Sequence, residues 1–166
     1  MNAVQLAVTG YQRRAVDLID WARPEGGTGP WETRNVESAT FRGIEVELSG
    51  IRVAGAHVFA KGAALSVSAD STAGFVSKYA LRPLTRYASI GAGRALGVFR
   101  TETRLDYRRR EGEDGCWLWD VRLAARLLRV GEVYVDVLNG LDAQYADITG
   151  APSAGRSLMV GFRTGT

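Results

Sequence analysis

The chain of 166 residues holds one histidine, His57, and one cysteine, Cys116. A lone imidazole excludes a histidine metal cluster and leaves any Ser-His-Asp chemistry hanging on one side chain. A lone thiol excludes a disulfide framework or a cysteine metal site within one chain. His57, in "AGAHVF" beside a short turn signal, reads as solvated, and Cys116 reads as a small apolar residue. "GAGRALG" brings Gly91, Gly93 and Gly97 together, but with the wrong spacing and context for a dinucleotide loop. Those glycines read better as facing a neighbouring strand or a crowded lumen. No catalytic residue, metal or cofactor is therefore expected, and the chain is not read as an enzyme. What remains is charge: Glu45, Glu47, Arg100, Glu102, Arg104, Asp106, Asp120, Arg122 and Arg126, joined by Asp136. Their chemistry is ion pairing. They read first as a salt-bridge lattice, and second as the lining of a pore that meets substrate. "YRRREGEDG" reads as a solvated loop, with phosphate or lipopolysaccharide binding by Arg108 to Arg110 as the lesser alternative.

Those charges sit at every second position, which makes the elements that carry them strands. From Phe99 to Tyr107 the odd positions are apolar or threonine, while Arg100, Glu102, Arg104 and Asp106 fill the even ones. Trp117, Trp119, Val121, Leu123, Ala125 and Leu127 repeat the rule against Asp120, Arg122 and Arg126. The same alternation appears in "AVQLAVTGYQRRAVDLIDWA", "FRGIEVELSG", "GAALSVSAD", "EVYVDVL" and "RSLMVGF", and weakly in "TRYASIGAGRAL", giving eight candidate strands. "DVRLAARLLRV" also scans as an amphipathic helix, but the adjoining "CWLW" and the match to 99–109 favour a strand. A register that sets Arg108 against Asp120, Asp106 against Arg122 and Glu102 against Arg126 pairs opposite charges, with Leu105 against Leu123 and Tyr107 against Val121. Each opposite-charge pair is worth roughly 0.2–1 kcal/mol. "NG" at 139–140 reads as a strand end entering a long loop rather than a tight hairpin turn.

The separators alternate in length. "PEGGTGPWET", "STAGFVSKYALRP", "REGEDG" and "LDAQYADITGAPSAG" are long, whereas those near "SGIRVAG", "LGV" and "RVGE" are short. An up-and-down antiparallel meander with one elaborate rim has this form. The expected fold is all-β: an antiparallel meander of about eight strands, a transmembrane β-barrel that is part of a larger barrel or a small closed one. Length fits one domain over 1–166, with no signal peptide, and a net charge of +3 offers no field for nucleic acid.

Alternation alone does not say which face is wet. A soluble barrel points its apolar parity inward; an outer-membrane barrel inverts the order. Three cues favour the membrane. Aromatic residues (Trp21, Trp31, Phe41, Tyr87, Phe99, Tyr107, Trp117, Trp119) cluster at strand ends as an interfacial girdle would. The apolar parity of 99–107 and 117–127 carries no charge. Ten tilted residues span roughly 24 Å.

Two segments then resemble the late barrel of TonB-dependent outer-membrane receptors. In "AVDLIDWARPEGGTGPWETRNVESATFRGIEVEL", Asn35, Val36, Ala39, Gly43 and Glu45 occupy the family's Asn-Val-x-x-Ala-x-x-x-Gly-x-Glu places. In "VYVDVLNGLDAQYADITGAPSAGRSLMVGFRTGT", Asn139, Asp142, Tyr145, Gly155 and Arg156 match the loop before the closing strand. Thr166 stands where the family ends on an aromatic, Gly140 where it has leucine, and Ala154 where it has proline. The resemblance implies the last third of a receptor for metal chelates or other scarce nutrients, such as siderophores or cobalamin, in the bacterial outer membrane. It implies outer-membrane lipid and the barrel-assembly machinery as partners, with TonB and a plug engaged only through parts not found in this chain. The competing expectation is a soluble β-barrel module that binds an apolar ligand.

Overall fold

The structure, a computed structural model, describes residues 3–69, 74–79, 81–127, 131–148 and 151–164. Each alternating run becomes a strand, because a period of two places its apolar set on one side of a pleated ribbon. The strands are β1 (Gln5–Pro24), β2 (Glu32–Val53), β3 (Ala56–Ala69), β4 (Phe75–Ser77), β5 (Leu84–Leu96), β6 (Phe99–Arg110), β7 (Cys116–Leu127), β8 (Gly131–Leu138), β9 (Ala146–Ile148), β10 (Ala151–Pro152) and β11 (Ser157–Arg163). Eight of them are long, and these carry the eight alternating segments of the sequence. The ambiguous "DVRLAAR" is strand β7. Several strands outrun their sequence signal: "NVESAT" lies inside β2, and of "SGIRVAG" only Ala54 and Gly55 form the turn.

The long strands run up and down beside one another in a nine-stranded antiparallel sheet of order β11-β8-β7-β6-β5-β3-β2-β1-β4. Short β4 folds back to pair with the top of β1, where Ala22 meets Ser77 and Pro24 meets Phe75. Strands β9 and β10 form a separate small ladder inside the loop before β11. The β2–β3 connection is two residues with positive φ, Ala54 at 49° and Gly55 at 82°. Such turns match the right-handed twist of the flanking strands. At the β5–β6 turn Gly97 has φ 61° and supplies the first central position. The opposite rim carries the longer connections, those between β1 and β2, β3 and β5, β6 and β7, and β8 and β11. Residues 128–130, the short β7–β8 separator, lie outside the described residues.

Among the described residues the sheet is open. Its edges are β11 and the β1/β4 side, so the small closed barrel does not form here. A physical reason is visible: β4 occupies the upper part of the β1 edge that β11 would need for closure.

The two faces differ sharply. Leu158 and Val160 are 67% and 70% exposed, and Ile90, Phe99, Leu123 and Phe162 are exposed on the same face. On the other face Asp106 and Asp136 are buried at 2% and 3%. A single-layer sheet thus buries two carboxylates on its charged side and leaves its aliphatic side exposed, the inverse of a soluble sheet.

The β6–β7 register corrects the sequence expectation. Arg104 stands against Asp120, Glu102 against Arg122, Leu105 against Trp119 and Tyr107 against Trp117. Asp106 instead faces Leu118, Arg108 faces Cys116, and Arg126 faces Glu132 of β8. The offset from expectation is even, so every side chain keeps its face. Charges repeated along both strands satisfy either alignment, and the aromatic pairs break the tie. Tyr107 and Trp117 pack at 5.1 Å between ring centroids, and Trp119 Nε1 donates to Thr103 Oγ1 at 2.9 Å.

The aromatic girdle also needs correction. Trp21, Phe99, Trp117 and Trp119 are exposed. Tyr87 instead turns to the polar face, where its hydroxyl donates to Asp106 Oδ1 at 3.4 Å. Phe41 shares the parity of Glu45 and Glu47 and so also leaves the girdle.

Candidate functional site

The polar face holds a groove of about 650 Å³ spanning β3 to β8, lined among others by His57, Phe59, Arg100, Glu102, Arg104 and Arg122. Register explains why these side chains meet. Gly93 of β5 pairs with both His57 and Glu102, so the small glycine opens space between β3 and β6. Glu102 then pairs with Arg122, and Arg122 with Asp136. One row of the sheet therefore runs from imidazole through glycine to alternating charges.

The groove is an ionic lattice. Arg122 grips Asp136 with two charge-assisted hydrogen bonds, Nε to Oδ1 and Nη2 to Oδ2, both 2.6 Å. This fork on a buried carboxylate is the strong form of an ion pair. Arg104 Nη2 reaches Asp120 Oδ2 at 2.8 Å, while its Nε lies 3.4 Å from Asp106. Arg108 approaches the same Asp106 carboxylate at 3.2 Å. Arg100 Nη2 contacts Glu132 at 2.9 Å, with Glu102 3.7 Å from its Nε. Asp120 has a second duty, accepting the Asn139 backbone N–H at 2.9 Å. Arg122 also lies 4.7 Å from the Tyr134 ring centroid.

Of the residues singled out by sequence, Arg100, Glu102, Arg104, Asp120 and Arg122 line the groove together with Asp136. Asp106 lies outside that lining, between Arg104 and Arg108. Glu45, Glu47 and Arg126 do not join. Glu47 pairs with Lys61 of β3 at 3.4 Å, Glu45 stands against Ala63, and Arg126 is exposed near the β7–β8 rim. His57 lies on β3 rather than in the turn, exposed at the groove's edge.

Sequence reasoning missed two features. The first is a row of aromatic rings laid over cross-strand glycines: Tyr11 over Gly43, Phe59 over Gly91 and Tyr134 over Gly161, each a directly opposed pair. A β-carbon at any of the three would collide with the ring. The aromatic–glycine parity was present in the sequence, but without the register nothing linked the partners.

The second is the build of the loop after β8. Asn139, with φ 50°, donates from Nδ2 to the Ala143 carbonyl at 2.9 Å and accepts the Ala143 N–H at 2.9 Å. Asp142 Oδ1 accepts the Arg156 N–H at 2.8 Å, and a β-carbon on Gly155 would press on that oxygen. Asn139 and Asp142 thus tie the start of this connection to Ala143 and Arg156. Asp142 and Arg156 also come within 3.9 Å as an ion pair.

Among the described residues no group of His, Cys, Asp and Glu is arranged to hold a metal ion. A paired lattice of this kind presents positive and negative groups to whatever enters the groove, but no nucleophile–base pair. Comparison with known proteins assigns no family: no protein-family model matches the chain, and no curated protein matches it either.

Proposed function

We propose that this chain is a sector of a transmembrane β-barrel in the bacterial outer membrane, belonging to a TonB-dependent receptor that takes up metal chelates or another scarce nutrient. The observation that carries the reading is the inverted sheet. Its aliphatic and aromatic side chains are exposed, whereas two carboxylates of the other face, Asp106 and Asp136, are buried in ion pairs. In water such a face would be a large apolar patch of the kind soluble monomers avoid. Against hydrocarbon it is the favoured face, and enclosed ion pairs suit a polar lumen.

Three further features support it. The apolar parity of 99–107 and 117–127 is free of charge, and ten tilted residues span roughly 24 Å. Loops of unequal length segregate to the two rims. The free edges at β11 and β1 suit a sheet continued by further strands, since an unpaired edge does not persist in lipid. In this reading the groove between β3 and β8 is a stretch of the lumen wall. The plug and the contact with TonB belong to other segments of the receptor.

Partitioning tests the assignment. The purified chain should need detergent to stay in solution, and its folded form should migrate differently on gels before and after heating. A folded monomer that is soluble without detergent would reject the membrane reading in favour of a soluble binding module.

A further inference from the structure

Near the rim of long loops the chemistry of the apolar face changes abruptly. From that rim its positions on β5 are Arg86, Ala88, Ile90, Ala92 and Arg94, and on β6 Arg109, Tyr107, Leu105, Thr103 and Thr101, matched in register. Arg86 and Arg109 are therefore directly opposed. Like charges so placed destabilise a sheet. Neither guanidinium has an ion-pair partner among the described residues, and both are exposed. The neighbouring arginines behave otherwise. Arg108 turns to Asp106 on the polar face, and Arg110 bonds Asp147 at 3.0 Å.

A groove of about 470 Å³ opens at this spot, lined by Arg42, Ser66, Thr85, Arg86, Arg109 and Glu111 among others. Arg42 comes from β2, where its Nε is held by Gln12 Oε1 at 2.9 Å. Ser66 and Thr85 both donate to backbone carbonyls, so neither hydroxyl proton is free. Glu111 is the one carboxylate in the lining and is exposed at the loop. Four arginines thus border one hollow, Arg110 already bonded to Asp147, with a single acid at its margin. Immediately below it the face is uncharged: Ile44, Ala64, Ala88, Ile90 and Leu105.

We propose that this hollow binds the phosphate of an anionic membrane lipid, whose acyl chains lie along the apolar positions beneath it. Guanidinium forks match phosphate oxygens, and a bound dianion turns the Arg86–Arg109 repulsion into shared attraction. The uncharged strip directly below selects an amphiphile over a free anion. The site rests on the membrane reading above, since only a bilayer brings headgroup and chains to this height together.

The test uses the chain folded in neutral detergent micelles, titrated with phosphatidic acid, with diacylglycerol of the same chains, and with inorganic phosphate. Binding is read by native mass spectrometry. Wild type should bind phosphatidic acid about tenfold or more tightly than either control, and Arg86→Gln with Arg109→Gln should remove that preference. Without lipid, Arg109→Gln should unfold at the same or higher denaturant concentration than wild type. Phosphatidic acid should stabilise wild type alone. Equal binding of diacylglycerol, undiminished binding by the double variant, or phosphate alone binding as tightly as the lipid would each overturn the site. A chain that needs detergent yet shows no phosphate dependence sinks this inference only, whereas a chain soluble without detergent sinks the membrane reading beneath it.

Discussion

At the residue scale, two kinds of contact hold the polar face. The Arg122–Asp136 fork buries a carboxylate that water no longer reaches. Removing the cation alone leaves that charge uncompensated, so Arg122→Ala should destabilise by about 3 kcal/mol. Arg122→Ala combined with Asp136→Ala should recover most of the loss in a double-mutant cycle followed by urea unfolding in micelles. The second kind is the ring on glycine. A β-carbon at Gly91 would meet the Phe59 ring and approach the Thr103 carbonyl at 3.1 Å. Ring and backbone cannot both yield, so Gly91→Ala should cost about 1–3 kcal/mol by overpacking. Adding Phe59→Ala should relieve most of that cost, which the same unfolding measurement checks. An unchanged midpoint for Gly91→Ala alone would show that the ring is free to move.

At the element scale the register is what must be right, because it brings the lattice together. Cysteines at 104 and 120, in a Cys116→Ser background, should oxidise to a disulfide, since these positions are directly opposed on the polar face. Cysteines at 106 and 122 are offset by four residues, about 13 Å along the ladder, and should not link. The reverse outcome would restore the alignment that charge matching alone suggests. That pair of alternatives also shows what sequence could and could not resolve. Strand identity for β6 and β7 was legible, down to the helix-like "DVRLAAR", because alternation is a local property. The alignment was not. Charges recurring along both strands pair well at either offset, and the choice fell to the Tyr107–Trp117 and Trp119–Thr103 contacts across the ribbon. Asn139 is a similar case. The end of β8 was readable at "NG", while the hydrogen bonds to Ala143 that shape the loop depended on three-dimensional closure.

At the scale of the whole molecule, the decisive property is which side of the sheet tolerates charge. Leu123 is 56% exposed on the apolar face of β7. If that face meets hydrocarbon, Leu123→Arg should cost roughly 2–4 kcal/mol and sharply lower the yield of heat-modifiable, folded chain in liposomes. On a water-facing surface the same change falls within about 0.5 kcal/mol. A Leu123→Arg chain that folds and inserts like wild type would argue that the face looks at water. The contrast with Arg109 is informative. A cation at the margin of the apolar band is tolerated, and one four turns of the pleat lower should not be.

The order of residues determined by itself that this chain is a meander of long strands with one charged and one apolar side and one rim of elaborate loops. A period of two, the turn residues and the separator lengths are all written locally. Tertiary structure decided that Asp106 and Asp136 are buried, how β6 slides against β7, that among the described residues the sheet stays open at β11 and β1, and that Glu45, Glu47 and Arg126 stand apart from the groove. Alternation is symmetric under exchange of inside and outside, and a repeating charge pattern is nearly symmetric under an even slip. Only contacts between residues distant in the chain break those two symmetries.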